Sequence, residues 1–237
     1  MSYSIVIPSK TSENLEACVS ALSAAGEAAR VIVIDNGLSR RPEGCEYIDY
    51  EGPFIFSKAI NIGIRAAGDD DVVLLNDDGL LKSPNGIARM AAAMASRPHV
   101  GLCAAACDTV GNPNQFQRAE NVDKDAMRGE ERMVCFVCVY VPRTTIDTVG
   151  LLDERFVDYG LDDDDYSFRV RAAGLKIGIF DGCYVDHASL KSTYRGDALA
   201  GGDFTANMRR FIEKWGTDNW GCTREKSGFA NLFPEAK

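Results

Sequence analysis

Apolar and polar positions switch between two patterns along the first hundred residues. Ser4-Ile5-Val6-Ile7-Pro8, Val31-Ile32-Val33-Ile34 and Val72-Val73-Leu74-Leu75 are short apolar runs, as expected of strands covered on both faces. Between and after them, Glu13 to Ala25, Phe56 to Ala67 and Ile87 to Ser96 read as helices, with apolar residues at helical spacing in the first and an Ala-rich run in the last. The β-α-β-α-β order predicts an α/β fold, with a Rossmann-like, mostly parallel central sheet, right-handed crossovers and helices on both faces. Such sheets bind ligands beyond the carboxyl ends of their strands. Pro8-Ser9, Asp35-Asn36-Gly37 and Asn76-Asp77-Asp78-Gly79 all fall at those ends, so three separate polar segments are expected around one crevice.

The pattern changes from Asp108 to Arg132, which is polar, carries the turn Gly111-Asn112-Pro113-Asn114 and has no sustained periodicity. A loop of that length in a compact domain is usually functional or mobile. Strand character returns from Met133 to Val141, Thr144 to Val149 reads as a short helix, and Asp162 to Ala173 as a clearer one. Ile177 to Phe180 and Cys183 to Asp186 read as strands leading to His187, and Phe204 to Trp215 as an amphipathic helix. No repeat or linker interrupts the chain. The expected organisation is one domain over residues 1–237, with a nucleotide-type half (1–100), an elaborated second half (101–195) and a C-terminal extension (196–237).

Composition narrows the function. The chain has 237 residues, 46% hydrophobic and 26% charged, with a formal net charge of −9. That charge disfavours a binder of phosphate backbones, which needs a basic footprint. The apolar run Ile5 to Ile7 ends at Pro8, too short for a signal peptide core or a membrane span. Eight cysteines are scattered in apolar company. Cys135 and Cys138 would face opposite sides of a strand, so buried free thiols and a reducing, cytoplasmic setting are expected, with peripheral membrane attachment left open. Trp215 and Trp220 could stack on a ligand ring, but packing is the commoner role for tryptophan.

Three clusters can do chemistry. Asn76-Asp77-Asp78 ends a core strand, where carboxylates can hold a hard divalent cation; the same residues also make an ordinary turn. Asp162 to Asp165 open a helix. One acid would serve the cap and the macrodipole; four repel one another, and a general base is the functional alternative, kept ionised by the dipole. His187 follows a strand and reads either as a hydrogen-bonded structural residue or as a metal ligand.

The ordered set of motifs resembles the family 2 glycosyltransferases of the GT-A fold, especially a rhamnosyl-type branch with Asn-x-Asp in place of Asp-x-Asp. The motifs are Ser4 to Pro8, Val33 to Gly37, Asn61-Ile62-Gly63, Leu74 to Asp78, Val149 to Phe156, Asp162 to Arg169 with Gly174, and Val185-Asp186-His187. The resemblance runs from about residue 4 to about residue 195. It implies an inverting enzyme that moves a sugar from a UDP- or dTDP-type nucleotide sugar to a hydroxyl on a glycan, lipid-linked or other acceptor. It implies Pro8 and Ser9 beside the base, Asp35 on the base or ribose, and Asn36, Asn61, Asn76 and Asp77 on the donor side. Asp78 and His187 would hold manganese or magnesium. Asp162-Asp163 matches a Glu-Asp pair whose second member is the catalytic base. Pro8-Ser9-Lys10 departs from the family's Pro-Thr-Tyr-Asn, and Asn76 is a neutral residue where many relatives have Asp. A non-catalytic binding module of the same fold, and a transferase acting on a modified nucleic-acid base, are the alternative readings; a sugar-phosphate nucleotidyltransferase would need a Gly-rich basic loop after the first strand, which Ser9 to Glu13 lacks.

Overall fold

The computed structural model describes residues 2–121, 125–157, 159–192 and 204–216. The first half follows the predicted alternation: β1 (Tyr3–Ser9), α1 (Ser12–Ala24), β2 (Arg30–Asp35), β3 (Glu46–Asp49), α2 (Phe56–Ala66), β4 (Asp71–Leu75), β5 (Leu80–Leu81), α3 (Gly86–Ala95) and β6 (Val100–Cys107). The second half holds β7 (Met127–Glu130), β8 (Cys138–Val141), α4 (Arg143–Val149), α5 (Asp162–Ala172), β9 (Lys176–Asp186) and α6 (Phe204–Trp215). Among the described residues nine strands make one sheet in the order β3-β2-β1-β4-β8-β6-β9-β5, with β7 also paired to β9.

Strands β3, β2, β1 and β4 are parallel. Beyond β4 the sheet is mixed: β8 enters antiparallel between β4 and β6, and β6 runs parallel to β9. Two apolar layers cover the sheet. Ile5, Ile7, Val33 and Val73 face α1 and α3 on one side, and Val6, Ile32, Val72 and Leu74 face α2, α4 and α5 on the other. Consecutive residues of each strand therefore bury on opposite faces, which is why the strands read as unbroken apolar runs. Helix α2 lies so close to β1 that a Cβ at Gly63 would come within 2.2 Å of a Val6 methyl.

Three expectations are revised. The segment 108–132 is not an unstructured loop: its last residues form β7, which pairs with β9 from Met127 opposite Phe180 to Glu130 opposite Ile177. Its first residues are pinned by buried side chains. Asn112 Nδ2 donates to Met133 O (2.6 Å) and Glu130 Oε2 (3.1 Å), and Gln115 Nε2 donates to Ala105 O and Cys135 O. The strand expected over Met133 to Val141 begins only at Cys138, because residues 133–137 leave the ladder to join this wall. The two short strands before His187 are one strand, β9. Its first half lies between β6 and β7 and its second between β6 and β5, with a register shift on β6 between Ala105 and Ala106.

Helix α6 has an apolar stripe that closes a small satellite core. Phe211 and Trp215 pack edge-on against Phe168 at 5.2 and 5.4 Å between ring centroids, beside Phe156 and Leu161. Trp215 thus packs rather than standing free; Trp220 lies outside the described residues. The seven described cysteines carry free thiols, five of them buried. No described helix is long and apolar enough to cross a membrane.

Asp165, fully buried, joins α5 to α6. It accepts hydrogen bonds from Arg169 Nε (3.1 Å), Lys214 Nζ (3.0 Å) and Trp215 Nε1 (2.8 Å). Removing one partner of a buried ionic group usually costs about 3–5 kcal/mol, because the remaining charges lose their compensation. Asp165→Ala should lower the urea midpoint by a corresponding amount. A change below 1 kcal/mol would show that this network behaves as a surface ion pair.

Candidate active site

The strand ends and the start of α5 face each other across a cavity of about 550 Å³. Asn76, Asp77, Asp78 and His187 line one side, and Asp162, Asp163 and Asp164 the other. Phe54, Phe56, Phe136 and Tyr159 supply aromatic surface, and Thr109 to Asn112 with Arg132 to Val137 form a third wall.

Asp78 sits where β4 ends and the chain turns into β5, while His187 follows β9, the partner of β5. The pairing of Leu80 with Asp186 brings the two side chains together. His187 Nε2 lies 3.4 Å from Asp78 Oδ1, and both residues are largely buried. On the other side of the ring, Nδ1 is 2.7 Å from Thr109 O. A carbonyl can only accept, so Nδ1 carries the proton and Nε2 of the neutral ring turns a lone pair toward Asp78. Two lone-pair donors facing each other need a positive species between them, either a proton or a cation. Burial pulls the His187 pKa down, and the hydrogen bond and charge of Asp78 more than reverse this, so it lies above the ordinary value. An oxygen and an imidazole nitrogen, with the ring oriented by a backbone carbonyl, fit a divalent cation. Among the described residues no three His, Cys, Asp or Glu side chains converge as a complete metal site, so bound-ligand oxygens would have to share the ion.

Asp77 turns the other way and accepts a hydrogen bond from Ser9 Oγ at 2.7 Å. Burial pushes its carboxyl up to about 7 against that hydrogen bond, with the charge of Asp78 adding to the rise.

The start of α5 is set by backbone strain. Gly160 and Leu161 are both left-handed, at φ 82° and 72°. Leucine in that region costs on the order of 1–2 kcal/mol, and here the buried Leu161 side chain locks into the satellite core while Asn207 Nδ2 of α6 donates to Gly160 O at 2.8 Å. This turn delivers Asp162, Asp163 and Asp164 to the cavity and Asp165 to the interior. The sequence reading has the helix dipole holding a carboxylate ionised. In the structure burial outweighs it. Asp162 is pushed up to about 8 by burial and then by the charge of Asp163; Asp163 is raised by burial against backbone N–H groups; Asp164 is raised further by burial and by Asp163.

The cavity thus brings together Asn76, Asp77, Asp78, Asp162, Asp163 and His187. It does not bring in Pro8, Ser9, Asp35, Asn36 or Asn61. Ser9 stands one hydrogen bond behind, through Asp77. Asp35 is buried, with one oxygen accepting from the Gly37 and Leu38 N–H groups and the other from Arg41 Nε. Asn36 ties the turn to Tyr50 O and Gly52 O. Asn61 exchanges hydrogen bonds with both backbone groups of Leu152, fastening α2 to the loop before α5. Sequence reasoning missed Arg132 and Thr109, which lie in the aperiodic stretch; Thr109 follows β6 and meets the His187 ring because β6 pairs with β9.

No protein-family model matches the chain, and no curated protein sequence matches it. Solved structures do. GalNAc-T7, solved with UDP, GalNAc and Mn2+, matches with a TM-score of 0.70 at 15% identity over 91% of this chain. The mannosyltransferase PcManGT from Pyrobaculum calidifontis, in complex with GDP-Man and Mn2+, matches at 0.61 and 16% over 89%. The catalytic domain of Drosophila beta1,4galactosyltransferase 7, in complex with xylobiose, matches at 0.53 and 16% over 86%. The chain spans 49% of the first, 64% of the second and 81% of the third. The shared architecture is the GT-A fold.

The raised carboxyl of Asp162 has a consequence for stability. A carboxyl that holds its proton more tightly folded than unfolded contributes stability that is complete below its ordinary pKa of 3.8 and is lost as pH rises through about 8. Asp162→Asn should match wild type near pH 4 and exceed it at pH 9 by at least about 1 kcal/mol, the lower end for a poorly compensated buried polar group. Urea unfolding at the two pH values measures this; equal differences at both would show that Asp162 is ionised without penalty.

Proposed function

We propose that this chain is a metal-dependent inverting glycosyltransferase that takes a sugar from a nucleotide-sugar donor to an acceptor hydroxyl. The observation that supports it best is the facing pair Asp78 Oδ1 and His187 Nε2 in one cavity with Asp162 and Asp163. A cation site for a diphosphate and a base for a hydroxyl are the two requirements of sugar transfer in one displacement. The GT-A neighbours solved with UDP or GDP-Man and Mn2+ agree with this reading. Its finer assignment, to family 2 and its rhamnosyl-type branch with a UDP- or dTDP-type donor, rests on the order of the sequence motifs.

Asp78 and His187 would hold manganese or magnesium. Bound there, the ion supplies positive charge against the departing diphosphate. Asp163 faces the opposite side of the cavity, fixed by the Asp164 N–H at 3.0 Å. The acceptor oxygen bonds to the anomeric carbon as the bond to the diphosphate breaks, and its proton passes to Asp163. Burial raises the carboxylate's proton affinity, which brings a base closer to the pH at which it works. The apolar residues Phe54, Phe56 and Phe136 keep water from competing for the sugar.

Two measurements test this. Asp163→Asn should lower kcat by about 10²–10⁴-fold, the usual contribution of a general base, with nucleoside diphosphate binding within about twofold of wild type. Unchanged turnover would remove Asp163 from the mechanism. A nucleoside diphosphate should raise the melting temperature only when manganese or magnesium is present, and Asp78→Asn should abolish that shift. An equal shift in EDTA would remove the metal role.

A further inference from the structure

His187 stands one residue beyond the end of β9, where strand pairing no longer fixes the chain. The last rung between β6 and β9 joins Cys107 to Val185. Past it the chain of β6 bends out of the ladder, and its next residue, Asp108, reaches back with its side chain. Asp108 Oδ1 accepts the His187 backbone N–H at 2.9 Å, so a carboxylate takes the place of the next rung. Thr109 gives its carbonyl to the ring of the same histidine, 2.7 Å from Nδ1. Two consecutive residues therefore grip one histidine, one by its backbone and the other by its ring. Among the described residues, the His187 N–H is the one hydrogen-bond partner of the Asp108 side chain.

The grip bears on the pair that faces across 3.4 Å, Asp78 Oδ1 and His187 Nε2. Asp78 is set by a turn that closes from the Gly79 N–H to Asn76 O at 3.0 Å. His187 has no such turn. A carbonyl fixes Nδ1 at one point, about which the ring and the chain could still swing; fixing the backbone N–H as well removes that freedom. The neighbouring Asp186 cannot do this work. Its carboxylate is taken by Ser189 N–H (3.0 Å), Ser189 Oγ (2.8 Å) and Lys82 Nζ (3.3 Å). Among the described residues no third acid, His or Cys side chain completes a metal site with Asp78 and His187. Misplacing His187 would therefore remove half of what the protein offers an ion. Partners that orient a metal ligand are typically worth about 10–100-fold in metal affinity.

Resting on the cation site of the proposed transferase, we infer that Asp108 is a positioning residue for His187. Its carboxylate fixes the histidine backbone so that Nε2 faces Asp78 while the Nδ1 proton stays on Thr109 O. Three variants separate position from charge. Asp108→Asn keeps an acceptor oxygen at the same reach and loses the charge; Asp108→Glu keeps the charge and carries its oxygens one methylene further; Asp108→Ala removes both. The first measurement is manganese binding to the full chain, by electron paramagnetic resonance at saturating UDP or dTDP. Asp108→Ala and Asp108→Glu should weaken it by about tenfold or more, and Asp108→Asn by less than about threefold. The second is long-range proton–nitrogen NMR of the metal-free protein with neutral rings, where only His187 and His99 contribute histidine signals. Wild type and Asp108→Asn should show His187 as the single Nδ1–H tautomer, and Asp108→Glu and Asp108→Ala as an average of both. The contrast between Asn and Glu stands even if the Ala variant does not fold. Manganese binding or a tautomer left unchanged in Asp108→Glu, or an Asp108→Asn variant as weak as Asp108→Glu, would overturn the positioning role and leave the transferase reading standing. A wild-type protein that binds neither manganese nor the nucleoside diphosphates would overturn that reading, and this role with it.

Discussion

Everything in the second half of this molecule depends on how four adjacent aspartates are kept together. Four like charges in one helical turn repel, and two of them, Asp164 and Asp165, are also taken out of water. The fold answers by treating them differently. Asp165 is turned inward and met by Arg169, Lys214 and the Trp215 indole. Its charge is thereby matched at the point where α5 leaves the strained turn. The other three are turned outward, into a cavity where a ligand can complete them. Helix α6 closes both halves of the arrangement. Its last turn holds Asp165, and its first half holds the left-handed Gly160 through Asn207. The aromatic packing of Phe168, Phe211 and Trp215 therefore does more than fill space, because it holds the backbone that aims Asp163.

The cavity is electrostatically uneven, and the unevenness points to what belongs in it. Asp77, Asp162, Asp163 and Asp164 are all raised with burial as the first cause. Asp78 and His187, beside Asp77, present two donors to one point. A site of this kind is completed by a cation on one side and by hydroxyls on the other. On the proposed reading, a nucleotide sugar with a divalent ion would supply both at once. Burial that costs stability in the empty protein becomes a gain in strength for each polar contact the ligand makes, since the same low dielectric acts on both.

Much of this was legible in the chain because the responsible forces are local. Strands covered on both faces read as apolar runs, so β1, β2 and β4 were visible, and helices with an apolar stripe, such as α6 over Phe204–Trp215, were read to the residue. Strand β3 is four residues of mixed polarity at the sheet edge, and β5 is only two. Neither can carry a periodic signal. Strand β7, Met-Arg-Gly-Glu, is set by its partner β9 rather than by its own composition. The acids and His187 were legible because each ends a recognisable element. Asp35 and Asn61 show the limit of that reasoning. Both stand at the right place in the fold, yet their polar atoms are engaged by Arg41 and the Leu38 turn in one case and by Leu152 in the other. Sequence order places a residue near a site; only the local hydrogen bonds decide which way its side chain turns.

The same distinction explains why the third wall was the least legible part and the most informative. Residues 109–115 and 130–132 look like solvent-facing loop, the first with Gly, Asn and Pro in turn order. Yet Asn112, Gln115 and Glu130 are buried at 5% exposure or less. Their amides and carboxylate replace the backbone ladder that these segments lack, which makes the wall rigid without giving it a period. A rigid wall holds the residues that it turns toward the cavity at fixed positions without a strand to carry them, Thr109 with its carbonyl against the His187 ring among them.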